Sequence, residues 1–427
     1  MRILISGSGI AGPTLAFFLS KTNGAKITII EKAATILPHG QNVDIQGSAV
    51  KLIEKMGLMD EIRRNNTTEK GTQFIDSKGR PSAPLPVKEG SRTSLTSEFE
   101  ILRGDLARVL FEAVGGLGNV EVLFGMTVRS VLANDEDVVK VELSNGDVRE
   151  YDLLVASDGA WSKVRKQCFP AGDLEVVDKG MYASYFTIPR QPGDNDWWNI
   201  YWGLGSRIIS TRPDPYGTIR VLFSYMPGNE AQKRAWQNAA RSDRQIQQDL
   251  LRAEFADAGW QAERLLDAMD AAPDFYFQDI KQIRLAKWST SRVVCVGDAA
   301  YAPTPLTGMG TSLAITGAYV LAGELSKLSP GEDPSRALEA YEAVFRPFVE
   351  QMQHIPFFIP GVAHPGSAWK RWLLQSFVAG VARVVAIPWL QKGFSEDAKK
   401  MEDDFVLPEY PVFEEAEKAE MNAKFSP

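Results

Sequence analysis

The sequence predicts an α/β protein: a Rossmann-like domain interleaved with a mixed β-sheet domain, closed by a C-terminal helical segment. Three observations carry that expectation. A glycine-punctuated strand–helix–strand pattern opens the chain, in MRILISGSGIAGPTLAFFLSKTNGAKITIIEK. Two later apolar runs, residues 153 to 156 and 293 to 296, end in Asp158-Gly159 and Gly297-Asp298. Between them, residues 171 to 279 change to aromatic-rich, strand-length runs separated by Gly and Pro.

Residues 3 to 5 read as a short buried strand, and residues 11 to 19 as a helix with Pro13 tolerated in its first turn. A second strand spans 26 to 30, and Glu31 follows Gly12 by 19 residues. This is the layout of a dinucleotide cradle. Gly7 permits the tight turn, Gly9 the approach of a pyrophosphate, and Gly12 close helix packing. The helix N-terminus offers free amides to phosphates. Glu31 suits ribose hydroxyls and repels a ribose phosphate, so NADP is not the ligand of this loop. The loop alone does not choose between NAD and FAD.

In the segment 291 to 325, Asp298 stands at a strand end, where it can bond a sugar-like hydroxyl or cap a turn. Gly308 and Gly310 let amides approach a flat ring or an anion, and a helix starting near Thr311 aims its positive end there. A reduced isoalloxazine is such an object. Together with the first fingerprint, the cofactor reading of Asp298 prevails over the cap.

Over residues 1 to about 345 the chain resembles the group A flavin monooxygenases, the p-hydroxybenzoate hydroxylase-like superfamily, which includes tetracycline-inactivating enzymes. The resemblance rests on GSGIAG with Glu31, on ASDGAWSKVR and on GDAAYAPTPLTGMG. It implies a GR2-type FAD domain, FAD held by the first and third motifs, and NAD(P)H as co-substrate. Asp158 and Gly159 would serve FAD and NAD(P)H together, with Arg165 in the same cofactor set. Arg103, in FEILRGDLARVLFEAV, matches an arginine that contacts the flavin side; the alternative is an exposed helix-start arginine. Thr311 stands where the family often has Asn, and its hydroxyl is expected to cap the helix. In ILPHGQNVDIQG, His39 is the basic residue expected near the flavin edge, with Gln41 and Asp44 in reach. Ala11, Lys32 and Pro305 complete the expected cofactor set.

The FAD domain is expected over 1–75, 97–170 and 280–345. A substrate-binding sheet is expected over 76–96 and 171–279, with a charged helical stretch after it. A C-terminal helical segment takes 346–427, and the last stretch from Glu414 is expected to fray. The run 369 to 390 reads either as a membrane-surface helix or as a helix packed across the two domains. The second is preferred, because the cations are few and the tail is acidic.

The resemblance implies a monooxygenase in which NAD(P)H reduces FAD, and O2 then hydroxylates an electron-rich aromatic carbon through a flavin 4a-hydroperoxide. Candidates for deprotonating a phenolic substrate are Tyr185, Tyr201, Arg207 and Tyr225, expected to face one pocket. Trp197, Trp198, Trp202 and Phe223 suggest a broad, flat, apolar substrate of aromatic or polyketide type. A flavin halogenase, an O2-independent flavin reductase, a non-catalytic flavin- or drug-binding module and a nicotinamide-only dehydrogenase are the competing readings. The halogenase signature of alternating tryptophans followed by Ile-Pro is not found.

The bulk numbers agree. A chain of 427 residues exceeds one core. Hydrophobic content of 44% with 24% charged residues is that of an ordinary globular protein. A net charge of −7 without a basic run speaks against nucleic acid and membrane as main partners. Cys168 and Cys295 read as reduced core residues. His39, His354 and His364 show no metal-ligand spacing, so no metal site is expected. The N-terminal apolar run is too short for a signal peptide, and residues 377 to 390 are broken by Arg383 and Pro388. A cytoplasmic monomer or weak homodimer is expected.

Overall fold

The computed structural model describes residues 1–37, 40–87, 99–356, 358–385 and 405–416. His39 lies outside them, as does most of the stretch expected to fray.

The first βαβ unit is β1 (Arg2–Ser6), α1 (Ala11–Ser20) and β2 (Lys26–Glu31). β3 (Asn42–Asp44) leads into α2 (Ser48–Lys55) and α3 (Met59–Arg64). The chain leaves for a second sheet through β4 (Gly71–Ile75) and β5 (Pro81–Pro86), then returns by β6 (Glu100–Leu102), α4 (Arg103–Val114) and β7 (Val120–Phe124). β8 (Val128–Asn134), β9 (Val139–Leu143) and β10 (Val148–Tyr151) make an antiparallel ribbon before β11 (Leu153–Ala156) and α5 (Lys163–Cys168). The second sheet continues with β12 (Leu174–Pro189), β13 (Trp198–Gly203), β14 (Arg207–Pro213) and β15 (Thr218–Tyr225). Helices α6 (Glu230–Ala239), α7 (Arg244–Phe255) and α8 (Ala262–Met269) precede its last strand, β16 (Tyr276–Leu285). β17 (Ser289–Thr290), β18 (Val293–Cys295) and α9 (Asp298–Tyr301) return to the first domain. Then come α10 (Gly310–Ser326), α11 (Ser335–Gln353), α12 (Ile359–Ala363) and α13 (Ala368–Val385).

The first sheet runs β17-β18-β11-β1-β2-β7, parallel except for β17. Ile3, Leu4, Ile5 and all of β11 are fully buried, as a sheet covered on both faces requires. α1 and α10 pack on it. α10 carries small residues where it meets bulky rings: a Cβ on Gly317 would overlap the Tyr301 hydroxyl, and one on Gly323 the Tyr410 ring.

The second sheet runs β16-β12-β15-β14-β13-β4-β5. β4 belongs to this sheet, pairing in parallel with β13. The expected domain boundary at residue 75 therefore falls on the wrong side of this strand, and β16 carries the sheet on to residue 285. α6 to α8 are the expected charged helical stretch and cover one face. The described part of α13 packs on the second sheet through Leu374, Val378 and Ala382. A tie to the first domain comes from residues 405–416, where Tyr410 and Phe413 pack against Phe18 and Tyr319.

Candidate cofactor and substrate site

The expected cofactor residues gather at the C-terminal edge of the parallel sheet. Gly7 takes a φ of +114°, and a Cβ there would stand 2.5 Å from the Ser157 carbonyl oxygen. A Cβ on Gly12 would stand 2.1 Å from the Gly7 oxygen. Both positions admit only glycine. Gly9 has the opposite surroundings, with nothing within 4 Å of the Cβ it lacks, so its side of the loop is open to a ligand. α1 has no side-chain cap, which leaves its first amides for that ligand. Glu31 accepts from the amides of Ser8 and Ala33, each at 2.9 Å, which fixes its carboxylate at the strand end; Lys32 is exposed beside it.

Ser157 carries the second motif up against the first, its hydroxyl donating to the Ser6 and Gly7 carbonyls at 2.9 and 3.0 Å. Asp158 accepts from the Lys163 amide at 2.9 Å through one oxygen, while its other oxygen is buried without a partner. Arg165 departs from expectation. Its side chain is 2% exposed and donates to the carbonyls of Ala299 at 2.5 Å and Ala160 at 2.7 Å. It bolts the Asp158-Gly159 loop to α9, and its Nε is buried without a partner.

Gly297 places its α-carbon against Ala11, so the third motif abuts the first. Asp298 opens α9 without capping it and makes no hydrogen bond among the described residues. Burial raises its carboxyl pKa, and the Arg103 guanidinium opposes that rise. Arg103 begins α4, its amide donating to the Gln41 carbonyl at 2.9 Å. Asp44 accepts from the Gln46 side chain at 2.9 Å, and the Gln46 amide donates to Ser312 at 3.0 Å. Thus the 40–46 loop meets the loop holding Pro305, Gly308 and Gly310. Thr311 does not cap α10, whose N-cap position is Met309 with no side-chain bond, so those amides also stay available.

These features fit FAD: two uncapped helix starts, an open flank at Gly9, an unpartnered Asp158 oxygen and an Asp298 carboxylate that caps nothing. Among the described residues no cluster of His, Cys, Asp or Glu suits a metal ion. Both cysteines are free thiols.

The four tyrosine and arginine candidates do not share a pocket. Cross-strand partners lie on one face, where Tyr276, Tyr185, Leu222, Ser210, Ile200 and Phe74 form a row whose Ile200 and Phe74 end packs under α13. Leu306, from the loop before α10, packs on the same Met181–Ala183–Ile280 cluster as Tyr185 and Leu222. Tyr201, Arg207 and Tyr225 are on the opposite face, under α6 to α8. The Tyr201 hydroxyl donates to the Ala258 carbonyl at 2.9 Å. Arg207 donates to the carbonyls of Leu204 and Glu254, each at 2.6 Å, and to Asp257. Tyr225 stacks on Trp236 with ring centroids 4.7 Å apart. Phe223 is also on that closed face, whereas Trp198 and Trp202 look the other way.

Sequence reasoning missed three features. Tyr276 stacks with Tyr185 at 6.5 Å, and its hydroxyl lies within electrostatic reach of Arg103 and Asp298. Thr304 holds a φ of +86°, and its hydroxyl is buried without a partner. Arg212 lies over the Trp198 ring at 4.0 Å and donates to Glu69 at 2.6 and 2.8 Å and to Glu100. The Pro-Thr-Pro run around Thr304 was the one local signal available.

An FAD binding domain model matches residues 1–355. Monooxygenase CTB7 of Cercospora beticola is 36% identical over 420 residues, covering 96% of this chain and 97% of the relative. FAD-dependent monooxygenase asL4 of Sarocladium schorii is 32% identical over 434 residues, covering 96% and 98%. Among solved structures, tetracycline destructase Tet(55) superposes with a TM-score of 0.76 at 28% identity, covering 96% of this chain and 98% of that one. Klebsiella pneumoniae HpxO, solved with FAD and uric acid, shares the fold at a TM-score of 0.66 and 21% identity, covering 90% and 96%. With the cradle, the uncapped helix starts and these likenesses in place, the chain belongs to the FAD binding domain family, within the p-hydroxybenzoate hydroxylase-like flavin-dependent monooxygenases.

Proposed function

We propose that the protein is a cytoplasmic NAD(P)H- and O2-dependent FAD monooxygenase that hydroxylates a bulky aromatic or polyketide-like compound. The balance is ArH + O2 + NAD(P)H + H⁺ giving ArOH + H2O + NAD(P)⁺. The observation that carries the reading is the convergence of the loop around Leu306 with the half-buried Tyr185 and Leu222. A flat apolar compound held there lies between the cofactor motifs and the sheet.

Bound FAD supplies hydride acceptance from NAD(P)H and the activation of O2. The chain's own residues do the rest. Gly7, Gly9 and Gly12, with the α1 amides, hold the pyrophosphate, and Glu31 the ribose. Asp158 and Asp298 take further hydroxyls of the cofactor. Arg103 and the α10 amides would lend positive potential to bound FAD, favouring its reduced, negatively charged form. Tyr185 and Tyr276 wall the substrate, and the apolar row excludes water from the reacting carbon. Tyr276, near Arg103, is the group we assign to orient a substrate hydroxyl.

The test is NAD(P)H oxidation by FAD-loaded protein over a panel of polycyclic phenols, with O2, H2O2 and product mass followed together. A compound that speeds NAD(P)H loss and gains one oxygen atom with little H2O2 supports the proposal. Bound flavin that reduces a compound without O2 uptake points to the reductase. Bound flavin that turns over with no compound points to the binding module.

A further inference from the structure

One helix is covered on one side only. α13 seats Leu374, Val378 and Ala382 against Phe74, Leu85 and Trp202, and Arg371 on that side donates to the Trp202 carbonyl at 3.4 Å. Its outward side carries Trp369 (62% exposed), Trp372 (66%), Leu373 (50%) and Phe377 (69%), continued by Val381 and Val384. Three rings of roughly 150–250 Å² each, about two-thirds exposed, present on the order of 400 Å² of apolar surface. A patch of that size on a globular protein commonly marks an interaction site.

We propose that α13 docks in the plane of an anionic lipid surface, with its outward ring stripe among the headgroups. The charge pattern selects this occupant. Ala368–Val385 holds Lys370, Arg371 and Arg383 and no acid, in a chain of net charge −7. Lys370 and Arg383 flank the outward stripe near its two ends, where their stems reach headgroup oxygens while the rings go deeper. A second copy of the chain fits less well. Pairing two stripes antiparallel about a two-fold axis sets Lys370 of one against Arg383 of the other, with no acid on either helix to answer them. The acidic remainder is repelled by an anionic surface, so the whole-chain charge that speaks against membrane binding instead orients the protein through α13. No described helix is long and apolar enough to cross a bilayer. The contact is therefore interfacial, along a helix of about 27 Å. The covered side of the same helix holds the second sheet, which is thereby set beside an apolar phase.

The test is co-sedimentation of the FAD-loaded full chain with vesicles of phosphatidylcholine, alone or mixed with phosphatidylglycerol. The chain is expected to sediment with the mixed vesicles and weakly with phosphatidylcholine. W372S/F377S should lower the bound fraction about tenfold. K370E/R383E should remove the preference for phosphatidylglycerol, as should added salt. Both variants should keep their flavin content and unfolding midpoint. The proposal is overturned if the wild-type chain stays in the supernatant with both vesicles. It is equally overturned if the lipid-free chain is a dimer that W372S/F377S makes monomeric, which would assign the stripe to a second copy. Binding that emerges only after residues 386–404 are deleted would assign the stripe to that segment.

Discussion

The two faces of the seven-stranded sheet are built from similar residues and serve different ends. Under α6 to α8, Tyr182, Phe223, Tyr225, Trp236 and Phe255 are at most 2% exposed, and their rings interlock at centroid distances of 4.7 to 5.4 Å where they meet. Toward the cofactor motifs, Tyr185 and Leu222 stay half-buried, while Ile200 and Ile208 on the same face pack under α13. Aromatic content does not distinguish a site from a core. What distinguishes them is whether a second layer of the same chain fills the space. On the closed face polar tips are tied to the backbone, as Tyr201 and Arg207 show by their bonds to carbonyls.

The sharpest way to break this contrast is to cut into the closed face. Phe255→Ala should cost about 3–5 kcal/mol, read by urea unfolding, with flavin content per folded molecule unchanged. A loss of flavin without a loss of stability would undo the assignment of that face to structure. The next effect belongs to the open face. Arg212→Met leaves Glu69 and Glu100 buried without their cation and should cost about 3 kcal/mol or more. An unchanged midpoint would mean that the cluster is not buried in solution.

The same cluster gives a pH dependence. Burial pushes the Glu69 carboxyl from 4.5 up to about 8, with Arg212 opposing and Glu100 adding to the rise. The folded state then holds a proton that the unfolded chain releases above 4.5. This contribution is full below 4.5 and is lost as pH rises through about 8. Glu69→Gln keeps the neutral form and should flatten the decline in stability between those limits. An identical slope in wild type and variant would show that Glu69 is ionised in the fold.

The smallest effects are a matched pair. Tyr201→Phe should cost about 1 kcal/mol through its lost bond to the Ala258 carbonyl and leave KM alone. Tyr185→Leu should raise the substrate KM several-fold and move stability by about 1 kcal/mol or less. The reverse pattern would exchange the two faces.

Much of this was legible in the sequence. The glycine loop, Glu31 and the Gly297-Asp298 turn depend on local spacing, and the strand and helix there fall where the periodicity puts them. The runs MYASYFTIPR and NIYWGLGSRIIST also become strands. Because both of their faces are apolar, alternation says that Tyr185 and Tyr182 point apart but not which of them meets the cofactor. Arg165 belongs to a motif that reads as cofactor-binding, yet its donors go to the carbonyls of Ala160, in its own loop, and Ala299, in α9 far along the chain. Glu69, Glu100 and Arg212 had no signal at all. Their meeting depends on β14 lying beside the turn into β4 and the start of β6.

The sequence by itself determined the dinucleotide cradle and the presence of a second, aromatic-rich sheet, with FAD as what the family resemblance implied. Each rests on neighbours in the chain, where backbone geometry and side-chain period act directly. Only the tertiary structure decided which face of that sheet is open, that β4 joins it, that Arg165 is a bolt and that α13 keeps a bare stripe. Those outcomes depend on which layer covers which surface, and hydrophobic burial selects the layers without regard to their order in the chain.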